Sequence, residues 1–120
     1  MSKEELKTLL ENYWYDKHYL TEKIKEIEVI DNLISKGQSS EFMLSTKKYE
    51  ENEMSKIMES KKYIESLLQQ LPQPYRTIMY MKYITFLTFD QIADRINYST
   101  KRIYQLHGEA MNKLLVIVNA

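Results

Sequence analysis

The sequence predicts an all-α protein: a long N-terminal helical hairpin or coiled coil, followed by a helix-turn-helix domain. Three observations carry this. Apolar residues recur every seven positions at Leu6, Tyr13, Leu20, Ile27 and Ile34, the period of a helix with a buried seam. Only 2 Gly and 2 Pro occur in 120 residues, too few turn formers for a many-stranded sheet. Thr88 to Leu106, TFDQIADRINYSTKRIYQL, holds two short helical patterns separated by a tight break. Its apolar or small residues at Ile92, Ala93, Ile96, Tyr98, Ile103 and Leu106 are spaced as two helices packed at a steep angle require.

The first helix is expected from about Lys3 to Ser35. Leu9 or Leu10, Ile24 and Ile30 supply a second row beside the heptad positions, and Asp16 and Lys17 interrupt it. Lys36-Gly37-Gln38-Ser39-Ser40 breaks the helix, with Gly37 as a left-handed cap and the serines continuing a loop. Residues 41–48 read ambiguously, since Ser45-Thr46 invites a turn. Helical spacing resumes from about Tyr49 to Leu71 through Met54, Ile57, Met58, Ile64, Leu67 and Leu68. The stripe serves a hairpin within one chain or a seam between two.

Pro72-Gln73-Pro74 ends that helix, and Pro74 suits the first turn of the next, Tyr75 to about Thr85. Thr88 and Gln91 form a capping box, with Leu87 and Ile92 as a hydrophobic staple. Asn97 tolerates the left-handed backbone a turn needs. Ser99 caps the last helix, expected to about Leu115, and Tyr98 and Ile103 repeat the staple offsets. The apolar end, Val116-Ile117-Val118, suits a fold-back or an interface. Two domains follow: residues 1–71, the long amphipathic helices, and residues 72–120, the helix-turn-helix.

Composition narrows the function. A hydrophobic content of 43% supports a modest core. No Cys means no disulfide and no thiolate metal site, as suits a cytoplasmic protein. The opening MSKEELKTLLEN lacks the apolar core of a signal peptide, and no apolar run of about 18 residues appears. The net charge of zero divides: residues 1–71 hold 11 Lys against 14 Asp and Glu, and residues 72–120 hold 6 Lys and Arg against 3 acidic residues. The helix-turn-helix thus sits in a weakly basic half, which implies modest affinity per monomer.

Catalysis finds little support. His18 and His107 are far apart and lack partners at ligand spacing, so no metal site is expected. Two glycines cannot build a phosphate-cradling loop, and no cofactor is expected. Glu50-Glu51-Asn52-Glu53 reads as a solvated helix face. The chain is therefore expected not to be an enzyme, with no catalytic residues.

DNA recognition has better material. The recognition helix, about residues 99–115, exposes Thr100, Lys101, Arg102 and Gln105 as base-contact candidates, with His107 at the edge of the exposed set. Lys101 and Arg102 can donate to guanine O6 and N7, and Gln105 can pair bidentately with adenine. Arg76, Lys82, Ser99, Tyr104 and Lys113 are candidates for the DNA backbone, with Arg95 more loosely placed.

Residues Leu71 to Leu115 resemble region 4 of the sigma-70 family. The Leu-Pro opener, Arg76 and Tyr83 on the first helix, Ile92-Ala93 on the second, the Ser99–Ile103 start and the closing Ala110-Met111-x-Lys113-Leu114 carry the resemblance. It implies that Thr100, Lys101, Arg102 and Gln105 face the element that region 4 reads in promoters. The family commonly has Arg-Glu-Arg where this chain has Thr100-Lys101-Arg102, which implies a changed target. It also implies an apolar groove for the RNA polymerase β-flap, here formed by Tyr80, Tyr83, Ile84 and Phe86. No segment resembles the rest of a sigma factor. The whole chain looks like the phage-encoded transcription regulators of the ArpU/RinA type, which place a helical part before such a domain.

The leading expectation is a sequence-specific transcription regulator of phage or prophage type, binding double-stranded DNA as a homodimer in the cytoplasm, with no membrane partner. Two alternatives remain: a module that contacts RNA polymerase or a sigma factor, and the DNA-recognising small subunit of a phage packaging terminase.

Overall fold

Five α-helices follow one another in the computed structural model, which describes residues 1–38 and 40–120. They are α1 (Lys3–Ser35), α2 (Glu41–Gln69), α3 (Tyr75–Tyr83), α4 (Phe89–Ile96) and α5 (Thr100–Val118), with no strand among the described residues. The chain is all-α, with a long N-terminal helix and a helix-turn-helix at its C-terminus.

The helix ends have local causes. Ser2 Oγ accepts from Glu5 N at 3.1 Å, and Glu5 Oε1 accepts from Ser2 N at 3.4 Å, a reciprocal cap for α1. At its other end Gly37 has φ 79°. Gln38 N donates to Leu33 O at 3.0 Å, and Gly37 N to Ile34 O at 3.0 Å. These two bonds are the Schellman closure, which needs the left-handed backbone that Gly supplies. Ser39, expected to continue the loop, lies outside the described residues.

Helix α2 begins at Glu41, well before the expected Tyr49. Ser40 Oγ accepts from Met43 N at 3.1 Å and caps it. Thr46 does not turn the chain: its hydroxyl donates to Phe42 O at 2.9 Å inside the helix.

The Gln73–Pro74 peptide bond is cis, and Pro74 occupies the N-cap of α3 without a side-chain cap. Gln73 supplies the missing acceptor, taking bonds from Thr77 N at 3.2 Å and Thr77 Oγ1 at 2.6 Å. Helix α3 stops at Tyr83, and Phe86 stands at φ 62°. A left-handed residue with a side chain costs about 1–2 kcal/mol. The Phe86 ring stacks on Trp14 at 5.3 Å, which contributes about 0.5–1.5 kcal/mol in the other direction.

Two compact units share the helices. One comprises Met1–Trp14 with Tyr63–Ala120, the other Tyr15–Lys62.

The first unit has two apolar clusters. The larger gathers Leu6, Leu10 and Tyr13 of α1, Ile64, Leu67 and Leu68 of α2, Leu71 between α2 and α3, Met79 and Tyr83 of α3, and Ala110, Met111 and Leu114 of α5. The smaller gathers Ile78 of α3, Ile92 and Ala93 of α4, and Ile103 and Leu106 of α5. Helices α3 and α5 thus have a side in each. Ile117 and Val118 continue α5 and pack on the larger cluster, while Val116 faces solvent.

The second unit pairs the rest of α1 antiparallel with α2. Its inner face holds an ion pair, with Lys23 Nζ 2.9 Å from Glu50 Oε2, and at its edge Lys47 Nζ lies 2.6 Å from Oδ1 of the exposed Asp31. Glu50 is buried, against the solvated position expected for it, because Lys23 supplies an opposite charge across the pair. Leu20 is buried there, Ile27 and Ile34 are half-buried, and Ile24 and Met58 are exposed.

The shared core of α1 and α5 makes a prediction. Leu10→Ala opens a cavity in the larger cluster and should cost about 2–5 kcal/mol in chemical denaturation. A change below about 0.5 kcal/mol, the usual range for a surface site, would show that the first turns of α1 are not part of this core.

Candidate nucleic-acid interface

The two short helices α4 and α5 are positioned by capping. Thr88 Oγ1 accepts from Gln91 N at 3.2 Å, and Gln91 Oε1 accepts from Thr88 N at 2.9 Å. This is the expected capping box, and Leu87 and Ile92 both pack in the smaller cluster. Asn97 closes α4 at φ 58°, and Tyr98 N donates to Ala93 O at 3.1 Å. Ser99 Oγ accepts from Arg102 N at 3.1 Å and starts α5. Tyr98 departs from the expected staple and is exposed.

Burial of Ile103, Leu106, Ala110 and Leu114 turns the opposite face of α5 outward. Lys101, Gln105, Gly108 and Asn112 follow at spacings of four, three and four, so they line that outer face. Arg102 and Tyr104 flank it. Arg102 Nη1 donates to Gln105 Oε1 at 3.3 Å. The Gln105 amide keeps its N–H donors, and its oxygen keeps a second lone pair, so an adenine edge remains within its repertoire.

The candidates for base contact divide. Lys101, Arg102 and Gln105 are exposed together. Thr100 is half-buried, and its hydroxyl donates to Asp90 Oδ1 at 2.9 Å, which ties the start of α5 to α4. The backbone candidates divide too. Ser99 is exposed, with its hydroxyl proton not used by the cap. Tyr104 is 57% exposed while its ring packs 4.4 Å from Phe89. Lys82 Nζ lies 4.4 Å over that same ring. On the other flank Lys113 lies 5.1 Å over Tyr75, whose hydroxyl donates to Glu109 Oε2 at 2.7 Å. That bond holds the Tyr75 pKa above its ordinary value. Arg95 is exposed on α4.

Arg76 stands apart from these residues. Its Nε donates to Leu71 O at 3.0 Å, and it lines a cavity of about 410 Å³ with Tyr13, Glu65, Leu68, Tyr80 and Ile84. Of the groove residues implied by the family resemblance, Tyr80 and Ile84 are here, Tyr83 is buried, and Phe86 is stacked on Trp14.

His107, read as an edge of the exposed set, is half-buried instead. Tyr83 Oη is hydrogen-bonded to its Nε2 at 2.6 Å, and Phe89 meets it edge-on at 5.1 Å. Burial first, then the charges of Lys82, Lys7 and Lys3, push its pKa down to about 4. Burial first, then Glu11, pushes Tyr83 up to about 12. The imidazole is therefore neutral near pH 7 and adds no charge to the outer face. Phe89, where Lys82, Tyr104 and His107 meet, escaped the sequence reading. Its place directly after the Thr88 cap was the available signal.

Two capped helices joined by the three residues 97–99, with a polar, partly basic face on the second, define a helix-turn-helix domain. The family model for sigma-70, region 4 matches residues 67–114, so that segment is a sigma-70 region 4 domain, a DNA-binding helix-turn-helix. No curated protein and no solved structure matches the chain.

His107 gives a pH prediction with a definite sign. Its folded-state pKa of about 4 lies below the 6.5 of the free group, so the unfolded chain takes up the proton first as pH falls. The associated stability is intact above pH 6.5 and is lost progressively towards pH 4, by about 2 kcal/mol after allowing for solvent screening. His107→Gln keeps both a donor and an acceptor for Tyr83 without the titration. Thermal melts from pH 7 to 4 should show a smaller loss in the variant; parallel profiles would contradict a buried neutral His107.

Proposed function

We propose that the chain is a sequence-specific transcription regulator of phage or prophage type, acting by binding and not by catalysis. Helix α5 lies in the DNA major groove, with Lys101, Arg102 and Gln105 on base edges. Ser99, Tyr104, Lys82 and Lys113 flank it as backbone contacts, the first three around the start of α5. One observation carries this reading: Lys101 and Gln105 share the outer face of a helix whose inner face is the core of a region 4 domain. Thr100 acts as a tie to Asp90 in this account, not as a reader. A helical part placed before a region 4 domain is the layout of the ArpU/RinA type.

The protein acts as a homodimer in this account. The second unit exposes Ile24, Val29, Phe42, Leu44, Tyr49 and Met58, and its inner face includes the Lys23–Glu50 ion pair. Exposed apolar surface on a two-helix unit favours association with a second pair of helices. A second reading, contact with RNA polymerase, is favoured by the cavity at Tyr80, Ile84 and Arg76, which offers apolar walls and a cation to a protein segment.

Selection of bound duplexes from random DNA, with light scattering in parallel, tests the proposal. The expected outcome is a preferred two-half-site sequence and a dimer, with half-sites about one helical turn apart or a multiple of it. Lys101→Ala and Gln105→Ala should each relax preference at one position by about 1–3 kcal/mol. Binding without sequence preference at moderate salt would overturn the regulator reading. A ring of eight or more subunits would favour the packaging-terminase alternative. A polymerase pull-down that survives nuclease, without DNA preference, would favour the second reading.

Gly108 adds a separate expectation. A Cβ at this position would meet nothing within 4 Å, so Gly108→Ala should raise stability by about 0.5–1 kcal/mol. If DNA approaches the outer face of α5 closely there, the same variant binds the selected duplex more weakly. Higher melting temperature with unchanged affinity would place DNA away from that face.

A further inference from the structure

The positive surface beside α5 does not end with the matched segment. Leu6 and Leu10 are fully buried in the cluster that holds Ala110, Met111 and Leu114, so the first turns of α1 share one core with the recognition helix. With those leucines inward, helical geometry puts Lys3, Lys7 and Trp14 on one shared flank of α1. Trp14 stacks on Phe86, in the segment joining α3 to α4, which identifies the direction of that flank. Lys82 comes from α3 to lie 4.4 Å over Phe89, and Phe89 packs on Tyr104 beside the outer face of α5. The charges of Lys3, Lys7 and Lys82 all act on one imidazole, His107 of α5.

These three cations lack close compensation. Among the described residues no carboxylate pairs with Lys3 or Lys82, and Lys7 reaches only Glu11, at 4.0 Å. Three like charges around one point repel one another, and an anion with repeated charges relieves that repulsion. Lys3 and Lys7 are four residues apart, about 6 Å along the helix axis, a step comparable to successive phosphates on one strand.

We propose that Lys3 and Lys7 of α1, together with Lys82, form a clamp on the DNA phosphate backbone flanking the groove that α5 enters. The clamp rests on the DNA-binding reading above. It assigns to the N-terminal helix a direct share of the DNA interface, outside residues 67–114. Phosphate contacts add affinity and salt dependence without sequence preference.

Salt titrations of DNA affinity test this, by fluorescence anisotropy on a selected duplex and a scrambled one. The proteins are the full chain, Lys3→Ala/Lys7→Ala, Lys3→Arg/Lys7→Arg and the control Lys25→Ala from the second unit. Each lost phosphate contact lowers the steepness of log K against log salt by about 0.9, so the double alanine variant should lose about 1 to 2 in slope on both duplexes. The double arginine variant and Lys25→Ala should keep the parent slope. All three substitutions should leave the melting temperature near that of the parent, since the lysines are exposed. A double alanine variant with the parent's slope overturns the clamp alone. A parent chain that binds neither duplex overturns the DNA reading and the clamp together.

Discussion

Helix α5 is buried along one side by two different sets of partners, and the candidate interface depends on that double packing. Ile103 and Leu106 are gripped by α3 and α4, in the smaller cluster. Ala110, Met111 and Leu114 are gripped by α1, α2 and α3, in the larger one. The grip fixes the rotation of the helix about its own axis, and the rotation decides which side chains face outward. Lys101, Gln105, Gly108 and Asn112 point out because the residues between them have nowhere else to go. A single cluster under the N-terminal half would leave the rest of α5 to fray, since short helices derive most of their stability from packing.

The same logic explains what surrounds the outer face. The hydrogen bond between Tyr83 and His107 and the packing of Phe89 on His107 and Tyr104 fill the seam where α3, α4 and α5 meet. Burial there keeps the imidazole neutral, the bordering lysines add to that effect, and the ammonium groups carry the positive potential. Burial and charge therefore divide the work: the apolar seam orients the helices and leaves the cations at its rim. The second unit is held differently. Its ion pairs Lys23–Glu50 and Lys47–Asp31 fix which residues of α1 and α2 lie opposite each other. Such pairs specify register more than they stabilise, because desolvation offsets much of the Lys23–Glu50 attraction and solvent screens the exposed Lys47–Asp31 pair.

Much of this was legible in the sequence because the signals were local. The capping box at Thr88 and Gln91, the left-handed Asn97, the Ser99 cap and the Gly37 closure each involve residues within one turn of each other. The heptad positions Leu6, Tyr13 and Leu20 were legible as a buried stripe for the same reason. What stayed hidden depends on partners far away in sequence. Glu50 looked solvated until Lys23 was opposite it, and His107 looked exposed until Tyr83, 24 residues earlier, closed on it. Phe89 gave no periodic signal, being one aromatic residue whose neighbours come from α3 and α5. The early start of α2 was missed because Ser45 and Thr46 are turn formers by composition, while Ser40 had already committed the backbone to a helix.

A central claim ties fold to function: the outer face of α5 enters the major groove. Methylation interference on a selected duplex tests this most directly. Guanine N7 lies in the major groove, where Lys101 and Arg102 would donate, and adenine N3 lies in the minor groove. The account predicts that methylating guanine N7 within the site blocks binding and that methylating adenine N3 does not. Blockage by adenine N3 methylation, with guanine N7 methylation tolerated, would contradict it.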